Sequence, residues 1–198
     1  MVFRRVIEWP SKTLNKKSRN FNFSSDQEVK TDLLDTFKVL GGYGLAAPQI
    51  GFNVRAIVVN MKALSGSEDQ ELLMINPVIL EKNQSKIFKE FCFSLPGIEV
   101  DVERHSEILV EWLDEEGNRK ENKFLDYAAV CIQHEIDHLD GLLSIDRISS
   151  LRKDRIVKRI KKKNLRLKKL KNDSKEEASK KKSSITRAKN RKRRKSKK

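Results

Sequence analysis

Residues 131–141 read C-I-Q-H-E-I-D-H-L-D-G, and this stretch decides what lies at the centre of the fold. His134 and His138 are four residues apart, so on a helix they project from one face, about 6 Å apart along the axis. That spacing lets two imidazole nitrogens reach one divalent ion at about 2.0–2.1 Å. Glu135 lies beside them and could accept a proton from water. The stretch therefore predicts a metal-bearing helix.

The residues on either side of this H-E-x-x-H motif are mostly apolar, which predicts that the helix is buried. We expect Asp126 to cap the helix, which should run to about Leu139 and end near Gly141. A chance occurrence of the motif would be expected on a polar, exposed face. The apolar flanks therefore favour a functional site.

Two histidines do not complete a metal site, and few residues could supply the third ligand. His105 has polar neighbours (V-E-R-H-S-E), which indicate a surface residue in a connection between strands. Cys131 precedes His134 by one turn, and its side chain should point toward the N-terminus of the helix, so we interpret it as a small buried residue that lines the site. Cys92 ends a predicted strand that could cross the helix. Spacing alone leaves the choice open.

Around this helix the sequence predicts a β-rich body with one other helix. Residues 2–9 are an apolar strand candidate, and the capping-box spacing of Ser25 and Glu28 predicts a helix that Gly41 ends. Residues 42–51 are rich in glycine and contain a proline, which predicts a loop. Further strands are expected over residues 54–60, 72–80, 88–93, 98–102, 107–112 and 120–124.

Positive charge is concentrated at the end of the chain. Residues 152–198 hold 25 of the 43 Lys and Arg and 4 of the 28 Asp and Glu, a net of +21, which leaves 18 and 24 for residues 1–151, a net of −6. An acidic body with a basic arm is typical of a protein that binds a polyanion. We predict three parts: a catalytic domain over 1–148, a basic amphipathic helix over 149–172, and a disordered Lys/Arg-rich tail over 173–198.

The sequence also bears on the compartment. The first residues lack the apolar segment of a secretion signal, and no run approaches the ~18 apolar residues of a membrane-spanning helix. With only two cysteines, a reducing environment is the simplest expectation. We therefore expect a cytoplasmic monomer that has no membrane partner.

Three segments resemble the signature motifs of one enzyme family in the same order. These are G-Y-G-L-A-A-P-Q-I-G over 42–51, E-F-C-F-S-L-P-G over 90–97 and Q-H-E-I-D-H-L-D-G over 133–141. They resemble the peptide deformylase motifs G-x-G-L-A-A-x-Q, E-G-C-L-S and Q-H-E-x-D-H-L. The resemblance extends over about residues 2–165 and is to the bacterial type, with an extended basic tail. It implies an α+β fold in which antiparallel strands wrap around the central H-E-x-x-H helix.

The resemblance also implies a ligand set and a reaction. Cys92, His134 and His138 would hold one divalent metal ion, with Fe²⁺ as the native ion, although Zn²⁺, Co²⁺ and Ni²⁺ also suit one thiolate and two imidazoles. Glu135 would accept a proton from the attacking water and pass it to the leaving amine. The reaction would hydrolyse the formamide C–N bond of N-formylmethionyl peptides and release formate.

Further residues follow from the same resemblance. The side-chain amide of Gln49 and the backbone N–H of Phe93 would donate to the oxyanion. Gln133 is interpreted as a hydrogen-bonding neighbour of the ligands rather than a ligand. The residues expected to contact the substrate are Gly42, Gly44, Phe88, Tyr127, Val130 and Cys131.

The chain departs from the family motifs at a few positions. Phe91 replaces a glycine, should have ordinary β geometry, and could narrow the peptide groove or shield the metal. Phe93 replaces a leucine, and Glu99 stands where many bacterial members have an arginine. Glu90 and Arg104, on adjoining predicted strands, are expected to pair at the edge of the site.

The basic arm matches, over residues 150–170, a C-terminal helix that the resemblance implies docks on the ribosome. Lysine and arginine would bind ribosomal RNA in a salt-dependent way, and without aromatic residues the arm should not read bases. The alternative is a charge run that only aids solubility. The candidate RNA- or ribosome-binding residues are Arg152, Lys153, Arg155, Lys158, Arg159, Lys161 and Lys162.

Two other classes of protein share some of these sequence features. A zincin-like metalloprotease also uses H-E-x-x-H, but this chain has no histidine downstream of His138 to serve as the third ligand, and the G-L-A-A-P-Q loop would have no role. A non-catalytic RNA- or ribosome-binding protein with a structural metal would leave Glu135 and Gln49 idle, and structural sites normally have four protein ligands. The deformylase interpretation explains more of the sequence than either.

Overall fold

The computed structural model describes residues 2–66, 71–162 and 165–166, and the chain divides into two units, Met1–Ser149 and Ser150–Lys198. In the second unit residues 150–162 are helical. The predicted tail over 173–198 and the end of the predicted helix at 172 lie outside the described residues. The elements of the first unit are a 3-10 helix Lys12–Asn15, α1 Gln27–Leu40, β1 Gly44–Ala46, a 3-10 helix Ala47–Ile50, β2 Ala56–Val59, α2 Met61–Ser65, β3 Leu72–Phe91, β4 Glu99–Leu113, β5 Arg119–Leu125, α3 Asp126–Leu139 and a 3-10 turn Ser144–Asp146.

The five strands form one antiparallel sheet in which each strand pairs with the next along the chain. The register between β3 and β4 shifts twice, between Ile75 and Val78 and between Ile79 and Glu81. Such bulges bend and twist a strand, so the long hairpin is curved rather than flat. This mixed α/β architecture with an antiparallel sheet agrees with the predicted α+β class.

Helices cover both faces of the short strands, which is why β2 is buried along its whole length. Ile57 and Val59 belong to the same core cluster as Ala129 and Ile132 of α3. The alternate residues of β2, Ala56 and Val58, belong to a second cluster that contains the apolar face of α1. Because successive side chains point to opposite faces of a strand, this apolar run packs into one core cluster on each face of the sheet. The predicted α3 helix is confirmed and is buried, but Asp126 is its first residue and does not cap it; the N-cap is Leu125.

Several boundaries differ from the sequence predictions. The predicted pairs of strands over 72–80 and 88–93, and over 98–102 and 107–112, are two continuous strands, β3 and β4. The polar residues between them pair by backbone hydrogen bonds, which apolar patterning does not record. The predicted loop over 42–51 contains β1 and a 3-10 helix.

The chain before α1 also differs. Residues 2–9 form no strand, because their N–H groups bind helices and turns rather than a neighbouring strand, as in Ile7 N–H to Gln49 O of the second 3-10 helix at 2.7 Å. The N-cap of α1 is Asp26 rather than Ser25, and its carboxylate binds Arg19 instead of capping the helix. Within the described ranges, no helix is both long enough and apolar enough to cross a membrane.

Candidate metal centre and active site

Helix α3 and the end of β3 bring three metal-binding side chains together. His134 and His138 lie one turn apart on α3, with ring centroids 4.9 Å apart and ring planes nearly perpendicular. Cys92 follows directly after β3, and its Sγ lies 3.2 Å from His138 Nε2. The ligand atoms of these three buried residues all lie within 4.8 Å of one another. The structure therefore groups Cys92 with the two histidines, whereas Cys131 is not part of this cluster.

The donor set fits one divalent transition-metal ion. One thiolate and two imidazoles are ligands that such ions prefer, and three protein ligands leave a position open, as in catalytic sites. Glu90 Oε2 lies 2.8 Å from His134 Nδ1, which leaves Nε2 of that ring available as a ligand. Histidines that bind metals usually have such a carboxylate partner.

The protonation of the two histidines supports the same conclusion. Burial lowers the pKa of His138 well below its ordinary value, so this ring is neutral and its lone pair is available to a metal. Burial also works to lower the pKa of His134, but the Cys92 thiolate and the Glu90 carboxylate outweigh it and raise that pKa well above its ordinary value. The surroundings of His134 therefore favour a cation at this position.

Glu135 is buried beside the cluster with one oxygen unengaged. Its Oε2 has no hydrogen-bond partner among the described residues. Burial raises the pKa of Glu135 to about 7, although the charges of His134 and Arg104 work in the opposite direction. A carboxylate with a pKa near neutrality can both accept and release a proton at the pH of a cell.

The backbone at Gly42 and Gly44 lies so close to neighbouring side chains, including Glu135, that only glycine fits. A Cβ atom at Gly44 would lie 2.5 Å from Glu135 Oε1 and 2.8 Å from Cys131 Sγ, closer than real Cβ contacts. At Gly42 the φ angle is +109°, and a Cβ atom would lie 2.9 Å from the ring of Phe93. Glycine is therefore required at both positions because neighbouring side chains lie too close for a Cβ atom. At Gly42 the positive φ angle also favours glycine.

Gln49 is buried and its amide is oriented by two hydrogen bonds. Its Oε1 accepts from the N–H of Ala46 at 2.9 Å, and its Nε2 donates to Ser94 Oγ at 3.2 Å. The Nε2 atom also lies 3.6 Å from Cys92 Sγ. The donor end of the amide therefore faces the metal-ligand cluster.

Gln133 has a different role from the one the sequence suggested. Its Nε2 donates to the backbone oxygens of His105 and Ala129, and its Oε1 accepts from the N–H of His105. Gln133 thus anchors α3 to β4, and among the described residues its side chain bonds to the backbone of His105 and Ala129 rather than to Cys92, His134 or His138. His105 lies inside β4 and is half-buried, so its predicted position in a surface connection is wrong.

Comparison with known proteins identifies the family. A family model described as polypeptide deformylase matches residues 3–154. The chain belongs to the peptide deformylase family. Peptide deformylase 2 of Vibrio cholerae is 37% identical over 164 residues, which cover 82% of this chain and 96% of that protein.

Solved structures of the family have the same fold. A peptide deformylase from Legionella pneumophila is 31% identical, with a TM-score of 0.74 over 84% of this chain and 98% of its own. A Met-Ala-Ser-bound peptide deformylase from Acinetobacter baumannii is 28% identical, with a TM-score of 0.67 over 74% of this chain and 99% of its own. The family resemblance seen in the sequence is thus confirmed: the chain is a metal-dependent hydrolase that removes the N-terminal formyl group of peptides.

The positions where this deformylase departs from the family motifs lie mostly on the surface. Phe91 is 70% exposed, whereas Glu90 and Cys92 on either side are buried. Its backbone has no positive φ, as expected. Because side chains alternate across a strand, the ring of Phe91 points away from the side that carries Cys92, and it does not shield the cluster. Glu99 is paired with Lys89 at 2.7 Å on the exposed face.

The residues expected to form the substrate pocket are only partly enclosed. The rings of Phe88 and Tyr127 meet edge to face with centroids 5.6 Å apart, and Tyr127 is exposed. Val130 is buried, and Cys131 lies beside the position of Gly44. Burial raises the pKa of the Cys131 thiol well above its ordinary value, an effect that Glu135 and Glu90 reinforce, so this thiol is neutral.

The expected pair of Glu90 and Arg104 is present, but its position was wrongly predicted. Arg104 Nε lies 2.6 Å from Glu90 Oε1, and both side chains are buried behind His134 rather than at the edge of the site. Burial alone would raise the pKa of Glu90, but hydrogen bonds from His134 and Arg104 lower it to about 2. Asp137, which no sequence motif had indicated as part of the site, also binds Arg104. A charged residue on a helix that is otherwise predicted to be buried was the signal that could have found it.

Proposed function

We propose that Cys92, His134 and His138 hold the metal with which this deformylase hydrolyses N-formylmethionyl peptides. The observation that carries the proposal is the buried group of three ligand atoms within 4.8 Å, next to a buried glutamate with an unengaged oxygen. Fe²⁺ is proposed as the native ion, because it accepts thiolate and imidazole ligands, as Zn²⁺, Co²⁺ and Ni²⁺ also do. Lewis acidity toward water and toward the formyl oxygen is the chemistry that a metal ion supplies there.

Proton transfer is assigned to Glu135. Its Oε2 accepts a proton from the water that attacks the formyl carbon, and it then delivers this proton to the amine nitrogen as the C–N bond breaks. Burial supports both steps, because it brings the pKa of Glu135 to about 7. The products are formate and a peptide with a free N-terminus.

Stabilisation of the oxyanion is assigned to Gln49 and Phe93. The amide nitrogen of Gln49 already faces Cys92, since its oxygen is held by Ala46. The backbone N–H of Phe93, the residue after Cys92, is the second proposed donor. One well-placed donor of this type typically stabilises the transition state by about 2.7–4 kcal/mol.

The methionine side chain of the substrate is proposed to bind an apolar wall. Val130 is buried, and Phe88 and Tyr127 are in ring contact, which supports a wall at the start of α3. Gly42 and Gly44 are proposed to lie along the peptide backbone, and Cys131 Sγ lies 2.8 Å from where a Cβ of Gly44 would be.

The helix over 150–162 is proposed to attach the enzyme to ribosomal RNA. It carries all seven of the candidate basic residues, and no aromatic side chain lies in residues 150–198, which favours phosphate contacts over base recognition. The division into residues 1–148, 149–172 and 173–198, the cytoplasmic location and the monomeric state remain predictions.

Formate release from a formyl-Met tripeptide tests the catalytic assignment. Anaerobic, iron-loaded protein should release formate, and Glu135→Ala and Cys92→Ala should abolish release, whereas Cys131→Ala should retain it. Metal content should fall in Cys92→Ala but not in Glu135→Ala. Full activity of Cys92→Ala, or complete loss in Cys131→Ala with metal still bound, would contradict the assignment.

Co-sedimentation with ribosomes tests the arm. Binding should weaken steeply between 50 and 300 mM salt, and replacing Arg155, Lys158 and Arg159 by glutamine should lower the salt slope by about 2 to 3, since each phosphate contact contributes about 0.7–0.9. All three side chains are exposed, so the variant should fold normally. An unchanged slope would exclude this helix as the attachment site.

A further inference from the structure

Asp137 lies between two arginines and joins the metal-ligand cluster to the turn after α3. Arg104 Nη1 lies 2.6 Å from Asp137 Oδ2, and Arg147 Nε donates to the same oxygen at 2.9 Å. Arg147 Nη2 also donates to Asp137 Oδ1. Asp137 and Arg104 are each 4% exposed, so solvent screens their interaction little.

The series of ion pairs continues from Arg104 to His134. Arg104 Nε and Nη2 bind the two oxygens of Glu90 at 2.6 and 3.2 Å. Glu90 Oε2 in turn lies 2.8 Å from His134 Nδ1. Charged hydrogen bonds thus run without a break from Arg147 to one of the proposed metal ligands.

The charges in this series balance only when Arg147 is present. The carboxylates of Glu90 and Asp137 are both buried, and the two guanidinium groups neutralise them. Without Arg147, Asp137 would have only Arg104 as a charged partner, while Glu90 would share that same arginine and keep its hydrogen bond with His134. A buried carboxylate that loses its partner is costly, so Asp137 would draw Arg104 away from Glu90.

The turn after α3 is built to return Arg147 to Asp137. Gly141 has a φ of +76°, and a Cβ atom there would lie 2.8 Å from the backbone of Asn15, so only glycine fits. The N–H of Leu142 then donates to the backbone oxygen of Asp137 at 2.8 Å. A 3-10 turn over Ser144–Asp146 follows and ends at Arg147.

We propose that Arg147 is a positioning residue for the metal centre: by holding Asp137 it keeps Arg104 on Glu90, and Glu90 keeps the ring of His134 oriented toward the cluster. The proposal rests on the ligand role of His134 proposed above. It assigns to the metal centre a residue that lies outside the three motifs of the family resemblance and whose side-chain hydrogen bonds, among the described residues, go to Asp137 rather than to a metal ligand.

The rate at which Co²⁺ is lost tests this role in the full-length chain. Protein loaded with Co²⁺ is mixed with EDTA, and the loss of visible thiolate–cobalt absorption is followed over time. Replacing a direct partner of a ligand typically weakens metal binding 10- to 100-fold. Glu90 is the direct partner of the ligand, and Asp137 and Arg104 lie between it and Arg147. The effect of Arg147→Met should therefore be smaller, a loss of Co²⁺ that is about three- to tenfold faster. Arg147→Lys, which keeps one charged donor, should have an intermediate effect.

Arg55→Met is the matched control. Arg55 Nη1 binds Asp140 Oδ1 at 2.7 Å, so this arginine also pairs with an aspartate at the C-terminal end of α3. None of its hydrogen bonds leads to Glu90. This variant should lower the thermal stability of the protein but leave Co²⁺ loss unchanged. If Arg147→Met speeds Co²⁺ loss no more than Arg55→Met does, the proposal is overturned.

A double-mutant cycle with Asp137→Asn tests the route. If Arg147 acts through Asp137, Arg147→Met should add less than about twofold to Co²⁺ loss when Asp137 is already asparagine. An undiminished effect would overturn the route. Should Asp137→Asn not fold, the comparison of Arg147→Met with Arg147→Lys and Arg55→Met still decides. If the unchanged protein does not bind Co²⁺, the proposed ligand set is wrong, and the role of Arg147 falls with it. If the unchanged protein binds Co²⁺ but Arg147→Met behaves like Arg55→Met, only the role of Arg147 is wrong.

Discussion

Two glutamates on opposite sides of His134 have the same burial and opposite electrostatic environments. Glu90 is 5% exposed and Glu135 is 4% exposed. Both oxygens of Glu90 are engaged, by Arg104 and His134, and although burial opposes the effect, these partners lower its pKa to about 2. Glu135 lacks a partner at Oε2, and burial raises its pKa to about 7.

The difference shows that burial by itself does not decide what a carboxylate can do. A buried carboxylate with a guanidinium partner keeps its charge at any pH of a cell and can serve as a fixed holder of a histidine. A buried carboxylate without such a partner has a pKa near neutrality and can transfer protons. The same residue type therefore provides the positioning group on one side of His134 and the proposed reactive group on the other.

The largest effect is expected from removing the reactive side. Glu135→Gln keeps the shape of the side chain but cannot accept a proton, so kcat/KM for formyl-Met peptides should fall about 10²- to 10⁴-fold. The formate assay measures this loss, and metal analysis should show an unchanged metal content. A loss below tenfold would mean that another group transfers the proton.

The next effect should come from moving Glu135 without changing it. In Gly44→Ala the new Cβ lies 2.5 Å from Glu135 Oε1 and forces the carboxylate to shift. A misplacement of about 1 Å can cost about 10²-fold in rate, and we expect a fall of that size in formate release.

Gly66→Ala is the control for that substitution. Its backbone strain at a φ of +71° should lower stability, but a Cβ atom there would meet nothing within 4 Å, so no side chain is displaced and the rate should not change. Equal rates for the two variants would show that Gly44 does not set the position of Glu135.

A smaller effect on turnover is expected from the positioning side. Glu90→Gln removes the charge that Arg104 and His134 share, so Co²⁺ should dissociate about 10- to 100-fold faster. With excess metal present, kcat should fall less than in Glu135→Gln, since the proton-transfer group remains. If kcat falls as much as in Glu135→Gln under these conditions, Glu90 does more than position His134, and the contrast between the two glutamates is wrong.

The smallest effect is expected from Phe91, because its side chain is mostly exposed. Its ring is 70% exposed, and surface substitutions usually change stability by no more than about 0.5 kcal/mol. Phe91→Gly should alter the preference between long and short peptides more than the rate of formate release, which should stay within about threefold. An equal loss of kcat/KM on a dipeptide and a longer peptide would contradict this expectation.

Much of the site could be predicted because it is encoded locally. The pair of His134 and His138 needs only helical periodicity, and the apolar flanks indicate a buried helix. The pairing of Glu90 with Arg104 was predicted from opposite charges on neighbouring strands. Their register does not place them opposite each other, since Glu90 pairs with Val100 and Arg104 with Lys86, so the contact depends on the length of the arginine side chain.

Other parts depend on contacts that no local pattern records. The bonds between Arg147 and Asp137 require the chain to reverse at Gly141. The continuity of β3 and β4 through polar residues depends on backbone pairing across a hairpin. For the same reason, residues 2–9 have the composition of a strand and yet form hydrogen bonds with helices and turns rather than with a strand edge.

By itself, the sequence determined the central helix with its two histidines, the β-rich body, the charge division between body and arm, and, through three ordered motifs, the family and with it the antiparallel arrangement. Only the tertiary structure decided that Cys92 reaches His138, that Gly44 makes room for Glu135, and that Glu90 and Glu135 differ in pKa. The physical reason is that helical spacing follows from local backbone geometry, whereas a pKa depends on burial and on partners that only folding brings near.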